Sequence, residues 1–168
     1  HARKCTIVEV DLQDAREFMD MNHIDGHVNC SNALGLMFDD QLVAVATTRR
    51  PRHDKWRDHT EIARLAFASK MRVVGGVSRL INAIRKRHGR LMSYVDTRLG
   101  GDGRAYVHAG MKLSHTTVPR FWWTDMEQRF DRFSVRADAT RCMTQTQVAH
   151  ERGVSRIWGT CNLVFVDV

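Results

Sequence analysis

The sequence predicts an α/β (α+β) domain built around a central sheet, and three observations support this prediction. Residues 62–68 form a short, largely apolar run, which is typical of a strand covered on both faces. A glycine pair follows, and then one apolar helical stripe formed by Val77, Leu80, Ile81 and Ile84. Strand-like and helical segments alternate along most of the chain, as they do in sheets with crossover helices.

The first part of the chain contains three further strand-like runs and one helix. Residues 6–10 alternate enough to form a strand. The next apolar residues predict a helix that ends near Gly26, with one face formed by Leu12, Ala15, Phe18 and Met19. Residues 33–38 and 42–47 are predicted strands, joined as a hairpin by Asp39-Asp40-Gln41.

The second part continues with shorter elements. The helix after the glycine pair ends in the basic run 85–88, where cations suit the negative end of the helix dipole. A strand at 91–95 follows, and then a short helix that Asp102 could cap and Gly110 could close in the left-handed conformation. Residues 112–118 and 120–124 are predicted to complete the sheet, and a helix at 144–152 and a strand at 163–168 follow. We therefore predict a core over residues 1–124 and an extension over residues 125–168, packed on the same domain.

Length and composition favour a soluble globular protein. A chain of 168 residues with 43% hydrophobic and 27% charged residues can bury a core of its own. No apolar run approaches the length of a membrane span, and no signal peptide is visible. The four cysteines contain no C-x-x-C pair, which favours reduced thiols and a cytoplasmic location.

Positive charge is concentrated in one part of the chain. Residues 49–90 contain 13 Lys and Arg against three acids, a local balance of +10, whereas the whole chain carries +7. Such a block predicts a polyanionic partner, with DNA as the first choice. A solvated basic face and charge that serves only cofactor phosphates are the alternatives. The candidate nucleic-acid-binding residues are Arg49, Arg50, Arg52, Lys55, Trp56, Arg57 and Arg98.

The turn after the predicted central strand is a candidate anion site. Glycine permits close approach to the main chain, and a helix start presents N–H groups and partial positive charge. Arg72 and Arg79 flank the glycine pair. Spacing alone leaves two interpretations open: a diphosphate site, or a strand-to-helix corner that contains two glycines for structural reasons.

Two segments resemble motifs of the GNAT superfamily of N-acetyltransferases. Arg72-Val73-Val74-Gly75-Gly76-Val77 resembles the R-x-x-G-x-[G/A] loop, although Val77 replaces the usual small residue. Tyr106-Val107-His108-Ala109-Gly110-Met111 resembles the later Y-x-x-x-G-F element. More specifically, the chain resembles GNAT-like domains of bacteriophage proteins, in DNA-modification pathways or joined to homing-type endonucleases. The segments that carry this closer likeness are 22–26, 74–78, 93–98, 119–122 and 156–158.

The resemblance implies a fold, a cofactor and roles for individual residues. The fold would be a mixed, mostly antiparallel sheet flanked by helices, with two parallel strands splayed apart to admit acetyl-coenzyme A (acetyl-CoA). The pantetheine arm would lie along Leu65, Ala66, Phe67 and Ala68. The pyrophosphate would lie on the turn formed by Arg72, Val73, Val74, Gly75, Gly76, Val77 and Ser78.

The resemblance also implies catalytic residues, each with a structural alternative. Tyr106 would protonate or hydrogen-bond the leaving thiolate, or it packs against the sheet as an ordinary helix residue. Glu61 would accept a proton from the amine, or it is a solvent-facing acid at a strand end. Independently of the resemblance, His23 at the end of the first predicted helix is a candidate base or substrate contact, or a structural histidine. For His23, His27 and Cys30 a zinc site lacks an evident fourth ligand, so we predict no metal.

These features predict a phage-type, acetyl-CoA-dependent N-acyltransferase that modifies an amine on an altered DNA base. If the base lies in duplex DNA, it must be flipped out or presented on a single strand. One alternative is a non-catalytic GNAT-like module that binds or targets DNA. The other is an acetyltransferase for a small molecule or a protein.

Overall fold

The computed structural model describes residues 1–167, except for the side chain of Leu99. These residues form two compact units. The larger unit comprises His1–Val95, Asp102–His115 and the segment from residue 163 onward. The smaller unit comprises Asp96–Gly101 and Thr116–Asn162.

A seven-stranded sheet organises the larger unit. The chain contains ten described strands: β1 (Thr6–Glu9), β2 (Asn32–Phe38), β3 (Gln41–Arg49), β4 (Thr60–Phe67), β5 (Leu91–Asp96), β6 (Lys112–Thr116), β7 (Phe121–Thr124), β8 (Arg129–Phe130), β9 (Ser155–Trp158) and β10 (Asn162–Val166). The order in the large sheet is β1-β2-β3-β4-β5-β10-β6. The first four strands pair antiparallel, and β4 pairs parallel with β5. The predicted fold class is confirmed.

Helices cover both faces of this sheet. The four described α-helices are α1 (Leu12–Asn22), α2 (Gly76–His88), α3 (Arg104–His108) and α4 (Gln145–Glu151). The buried stripe of α2 packs in one core with β2, β3 and β4, as the helical spacing predicted. The apolar face of α1 packs on the opposite side of β3 and β4, in a second core. Both faces of β4 are therefore covered, which explains its nearly continuous apolar sequence.

The smaller unit has its own sheet and core. Its strand order is β8-β7-β9. Trp123 of β7 is buried with Val135, Val148 and Ala149, and the last two belong to α4. A capping box between Thr144 and Gln147 begins that helix. The prediction that residues 120–124 complete the central sheet is therefore wrong, because Trp123 packs into this separate core.

The last strand occupies an internal position in the large sheet. β10 lies between β5 and β6, and Val164, Phe165 and Val166 are buried. The predicted boundary at residue 124 assigns this strand to the extension. The structure divides the chain differently, because the apolar run 163–166 lies between two strands that come much earlier in the sequence. None of the described helices is long and apolar enough to cross a membrane.

Candidate active site

The parallel strands β4 and β5 separate part of the way along the sheet. Their pairing comprises Thr60–Leu91, Glu61–Met92 and Ile62–Ser93, whereas β4 continues to Phe67 and β5 to Asp96. On the other side of β4 the register against β3 shifts at Ala63. A bulge adds a residue and bends its strand, so β4 turns away from β5 directly beyond the last pair.

The separation leaves one edge of β4 open. Leu65, Ala66 and Phe67 pair with β3 through the other edge, and the Ala68 N–H donates to the Val43 carbonyl. Leu65 and Phe67 pack toward α2, whereas Ala66 and Ala68 pack toward α1. Main-chain groups on the open edge are thus available to an extended ligand, and the role of these four residues in binding pantetheine stays a prediction.

The open edge leads to the turn that begins α2. Gly75 has φ +78°, and no side chain caps the helix. The Gly76 N–H donates to the Val73 carbonyl at 3.0 Å. The next N–H groups, those of Val77 and Ser78, lie in the first helical turn and have no intrahelical acceptor. They are free to bind an anion.

A cavity of about 400 Å³ lies at this turn. Gly76 lines it, and a Cβ atom at that position would lie 2.5 Å from the Phe67 ring, so only glycine fits without displacing Phe67. The cavity is lined by Phe67, Met71, Arg72, Val73, Gly75, Gly76, Val77, Ser78, Ala105 and His108. The structure therefore brings most of the predicted pyrophosphate residues to one concave surface.

Two residues near the turn are used by the N-terminal segment. The Val74 carbonyl accepts from the Ala2 N–H at 2.9 Å, and Arg79 Nη2 donates to the Cys5 carbonyl at 2.9 Å. Arg79, which flanks the glycine pair in the sequence, thus holds the start of the chain. Arg72 remains exposed at the cavity.

Tyr106 places its hydroxyl where β4 and β5 separate. Its oxygen accepts a hydrogen bond from Ser93 Oγ at 3.2 Å, and Ser93 Oγ also lies 3.2 Å from the Ile62 carbonyl. Burial raises the pKa of Tyr106, although the Ser93 contact opposes this rise. The ring stacks on Phe165 with centroids 5.7 Å apart. Tyr106 is a protonated group at the apex of the opening, and it also packs on the sheet.

Glu61 is buried in an ion pair and is not exposed at the end of its strand. It is 3% exposed, and its Oε1 accepts from Arg49 Nη2 at 2.5 Å. The two residues are register partners on β3 and β4. The expectation that Glu61 faces solvent at a strand end is therefore wrong. The ion pair also counts against the two other predicted roles, the contact of Arg49 with DNA and the acceptance of a proton by Glu61.

His23 closes α1. Its backbone N–H donates to the Met19 carbonyl, and its Nδ1 accepts from the Asp25 N–H at 3.1 Å. Burial, followed by the nearby Arg64 charge, lowers the pKa of His23. Because Nδ1 already accepts a hydrogen bond, the neutral ring carries its proton on Nε2. Nε2 is therefore a donor in the neutral ring, which favours the structural role over that of a base.

Half of the basic block serves the fold. Six of its 13 cations contact other protein groups through their side chains: Arg49, Arg64, Arg79, Arg85, Arg87 and Arg90. The remaining exposed charge is concentrated in the loop between β3 and β4, on Arg50, Arg52, Lys55 and Arg57. The exposed positive surface thus contains fewer of the 13 cations than the sequence indicates.

The other two predicted nucleic-acid contacts are engaged within the protein. Trp56 packs beside Met92 and Val166, stacks on His115 at 6.3 Å and lies under Lys55. These contacts favour an anchoring role for Trp56. In the smaller unit, Arg98 pairs with Asp96 and lies 5.7 Å from the Trp122 ring.

A second pair of residues near the site was not identified from the sequence. His27 Nδ1 lies 2.9 Å from Asp20 Oδ1, and the same oxygen accepts from the His27 N–H at 2.9 Å. The seven-residue separation across Gly26 is the one signal of this pair in the sequence, where His27 otherwise groups with His23 and Cys30. Within residues 1–167, no group of three or more His, Cys, Asp or Glu is arranged to hold a metal ion.

Comparison with solved structures establishes the fold. The chain is similar to the ribosomal-protein-S18-alanine N-acetyltransferase from Escherichia coli, at 12% identity and a TM-score of 0.57, over 97% of this chain and 92% of that chain. It is also similar to an acetyltransferase from Bacillus subtilis in complex with CoA, at 12% identity and a TM-score of 0.58, over 98% of each chain. A GNAT family acetyltransferase from Elizabethkingia anophelis with acetyl-CoA bound gives 14% identity and a TM-score of 0.56, over 98% and 97%.

No protein-family model and no curated protein matches the sequence. At these identities the structural likeness defines the fold and leaves activity to the site itself. The chain has the GNAT fold, and the separation of β4 from β5 is the feature of that fold that the motifs implied.

Proposed function

We propose that this protein is an acetyl-CoA-dependent N-acyltransferase. The observation that carries the proposal is the open edge of β4, which leads from the Tyr106 hydroxyl to the uncapped start of α2. One continuous path thus offers a protonated hydroxyl at one end, main-chain groups along its length and anion-binding N–H groups at the other. Such a path suits a long ligand with a thioester at one end and phosphates at the other.

Each part of the path has a definite role in this proposal. The N–H groups of Val77 and Ser78, with the Arg72 guanidinium, bind the pyrophosphate through charge-assisted hydrogen bonds. The open edge of Leu65–Ala68 binds the amides of the pantetheine arm. The cofactor supplies an acetyl group as a thioester, and Tyr106 donates a proton to the departing sulfur. Its raised pKa keeps Tyr106 protonated at neutral pH, as an acid requires.

We further propose that the acetylated amine belongs to DNA, as in the phage domains that the sequence resembles. The supporting observation is the exposed basic loop at residues 50–57, which precedes β4, whereas the α2 turn follows it. The basic loop and the α2 turn with Arg72 thus lie at opposite ends of β4. The phosphates of DNA would therefore not compete with those of the cofactor. Two alternatives to this proposal are an acetyltransferase for a small amine or a protein, and a non-catalytic DNA-binding module.

Cofactor binding is tested by calorimetry with acetyl-CoA. We expect Arg72→Gln to weaken binding about tenfold, because a lost charge-assisted hydrogen bond of about 1.4 kcal/mol corresponds to that factor. Lys86→Gln is the matched control, since it removes one exposed charge from α2 away from the turn. Absence of binding by the wild-type protein at millimolar acetyl-CoA would reject the enzymatic function and leave the DNA-binding module.

The acceptor is tested separately. Nucleosides from phage DNA, incubated with the protein and labelled acetyl-CoA, should gain an acetyl group detectable by mass spectrometry. The DNA affinity should fall steeply with salt, and neutralising Arg50, Arg52, Lys55 and Arg57 together should reduce that slope. A protein that binds acetyl-CoA but whose DNA affinity hardly changes with salt would favour the small-amine or protein alternative.

A further inference from the structure

The Asp20–His27 pair has the geometry of an oriented base. Both oxygens of Asp20 lie within 3.1 Å of His27 Nδ1, so this nitrogen carries the proton that Asp20 accepts. The neutral ring consequently presents an unprotonated Nε2. The His27 side chain is 33% exposed, so its ring is accessible to a bound molecule. Hydrogen bonds from the main chain and side chain of His27 lower the pKa of Asp20, which stays ionised at neutral pH.

His27 lies on the wall of a second cavity, between α1 and the segment that follows it. The cavity has a volume of about 270 Å³ and is lined by Leu12, Gln13, Ala15, Arg16, Met19, His27, Val28, Asn29, Cys30 and Thr47. Thr47 is 2% exposed, and its hydroxyl has no hydrogen-bond partner within the described residues. A buried hydroxyl without a partner is costly unless a ligand supplies one.

This cavity is linked to the strand that forms the proposed cofactor path. Thr47 is the register partner of Arg64, which follows the bulge in β4. Arg64 Nε in turn donates to the Gly26 carbonyl at 3.2 Å, so the residue before His27 is held on β4. The cavity thus lies on the α1 side of the sheet, beside β3 and one strand away from the point where β4 separates from β5.

The other candidate bases are in unsuitable states. Glu61 is buried against Arg49, and His23 accepts a hydrogen bond at Nδ1, which leaves Nε2 protonated. His27 has the opposite tautomer, because its Nδ1 faces a carboxylate instead of an N–H group. The two histidines are four residues apart in the sequence, yet only one of them can accept a proton at its exposed nitrogen.

We propose that His27, oriented by Asp20, is the base that accepts the proton of the acceptor amine, and that the adjacent cavity binds a primary amine on an unbranched stem. This inference rests on the proposed function. The amine nitrogen attacks the acetyl carbonyl, the new C–N bond forms, and the C–S bond breaks with its electron pair on sulfur. His27 Nε2 takes the proton released by nitrogen, and the sulfur takes one from Tyr106. The Thr47 hydroxyl hydrogen-bonds the amine, and the walls from Leu12, Ala15, Met19 and Val28 contact its stem.

The charged and titratable groups around His27 come from α1, from β4 and from the segment that carries His27. Asp20 and Arg16 face it from α1, Cys30 lies on the same segment, and Arg64 reaches the segment from β4. Asp20→Asn should lower kcat while acetyl-CoA binding is retained, because the amide no longer fixes the proton of His27 on Nδ1.

The test uses the full chain, acetyl-CoA, and ethylamine, n-butylamine and 5-(aminomethyl)-2′-deoxyuridine as probe amines. His27→Gln should lower kcat by about 10²–10⁴-fold while acetyl-CoA binding is retained. His88→Gln, which changes an exposed histidine at the end of α2, should leave both unchanged. The same loss of kcat in His23→Gln but not in His27→Gln would overturn the assignment.

A second measurement does not depend on turnover. In the ¹⁵N NMR spectrum of the free protein, neutral His27 should show a protonated Nδ1 and an unprotonated Nε2, and His23 the reverse. The opposite tautomer at His27 would overturn the proposal. Binding of acetyl-CoA without acetylation of any probe amine would also overturn it, whereas absence of acetyl-CoA binding would overturn the proposed function instead.

Discussion

At the scale of single residues, hydrogen-bond partners decide which side chains can take part in chemistry. Glu61, His23 and His27 are all ionisable; Glu61 lies on β4, and the two histidines flank Gly26, whose carbonyl accepts from Arg64 of β4. An arginine neutralises the first, a backbone N–H fixes the second as a donor, and a carboxylate fixes the third as an acceptor. Chemical type therefore predicts three candidates, and the partners distinguish them.

The Arg49–Glu61 pair gives a prediction for stability. Glu61→Gln should lower the free energy of unfolding by about 3 kcal/mol, because it leaves a largely buried guanidinium without a counter-charge. Asp58→Asn breaks the exposed pair with Arg90 and should cost less than about 1 kcal/mol. Urea denaturation of the two variants measures both values. Equal effects would show that Glu61 does not hold Arg49 in solution, and Glu61 would then be available as a base.

At the scale of elements, the bulge in β4 and the short helix α3 form the part of the site where β4 and β5 separate. The bulge at Ala63 bends β4, and α3 carries Tyr106 to Ser93. Gly103, the residue before α3, has φ +71° and is packed directly against the Phe165 ring. The position of Tyr106 thus depends on a glycine that is required for two independent reasons. One is the positive backbone angle, and the other is the lack of space for a Cβ atom.

A pair of glycine variants separates these two reasons. Gly103→Ala and Gly110→Ala both place a Cβ atom at positive φ, but only the former meets another side chain, since nothing lies within 4 Å of the latter. We expect Gly103→Ala to be the more destabilising by about 1–3 kcal/mol, the usual cost of overpacking. It should also lower turnover, because α3 must move. Equal melting temperatures would indicate that Phe165 yields without displacing α3.

At the scale of the whole molecule, the large sheet is completed by the last strand of the chain. Asp167 follows β10 and joins three elements: its carboxylate accepts from Arg85 of α2 at 2.7 and 2.8 Å and from the Leu91 N–H of β5 at 3.1 Å. The strands that form the opening are therefore held by residues far apart in the sequence. Asp167 thus helps to hold together a helix and a strand from the middle of the sequence.

Asp167→Asn tests this closure. The variant loses a bidentate, charge-assisted contact and should reduce the free energy of unfolding of the larger unit by about 1.5 kcal/mol. Glu9→Gln is the matched control, because it breaks a second, exposed pair between α2 and a strand, that of Arg87 with Glu9. It should cost less than about 0.5 kcal/mol. A larger loss in the control than in Asp167→Asn, measured by thermal unfolding, would contradict this account.

Local patterns in the sequence determined much of the fold. Apolar runs and helical spacing predicted the helices and most strands of the large sheet, and Gly75-Gly76 indicated the turn at α2, because these features depend on neighbours along the chain. The apolar pattern predicted the wrong sheet for residues 120–124 and did not predict β9. An aromatic strand has the same sequence pattern whichever sheet it joins. Trp123 shows the difference, because its partners Val135, Val148 and Ala149 are remote in sequence.

Only the tertiary structure decided the roles of the ionisable residues and the position of the last strand. The partners of Glu61 and His27 lie 12 and seven residues away, and nothing in their spacing distinguishes an ion pair from a base. The basic block likewise reads as one surface in the sequence, whereas the fold uses six of its cations internally. Periodicity is a property of local geometry, but protonation and charge balance depend on which groups the completed sheet brings within hydrogen-bonding distance.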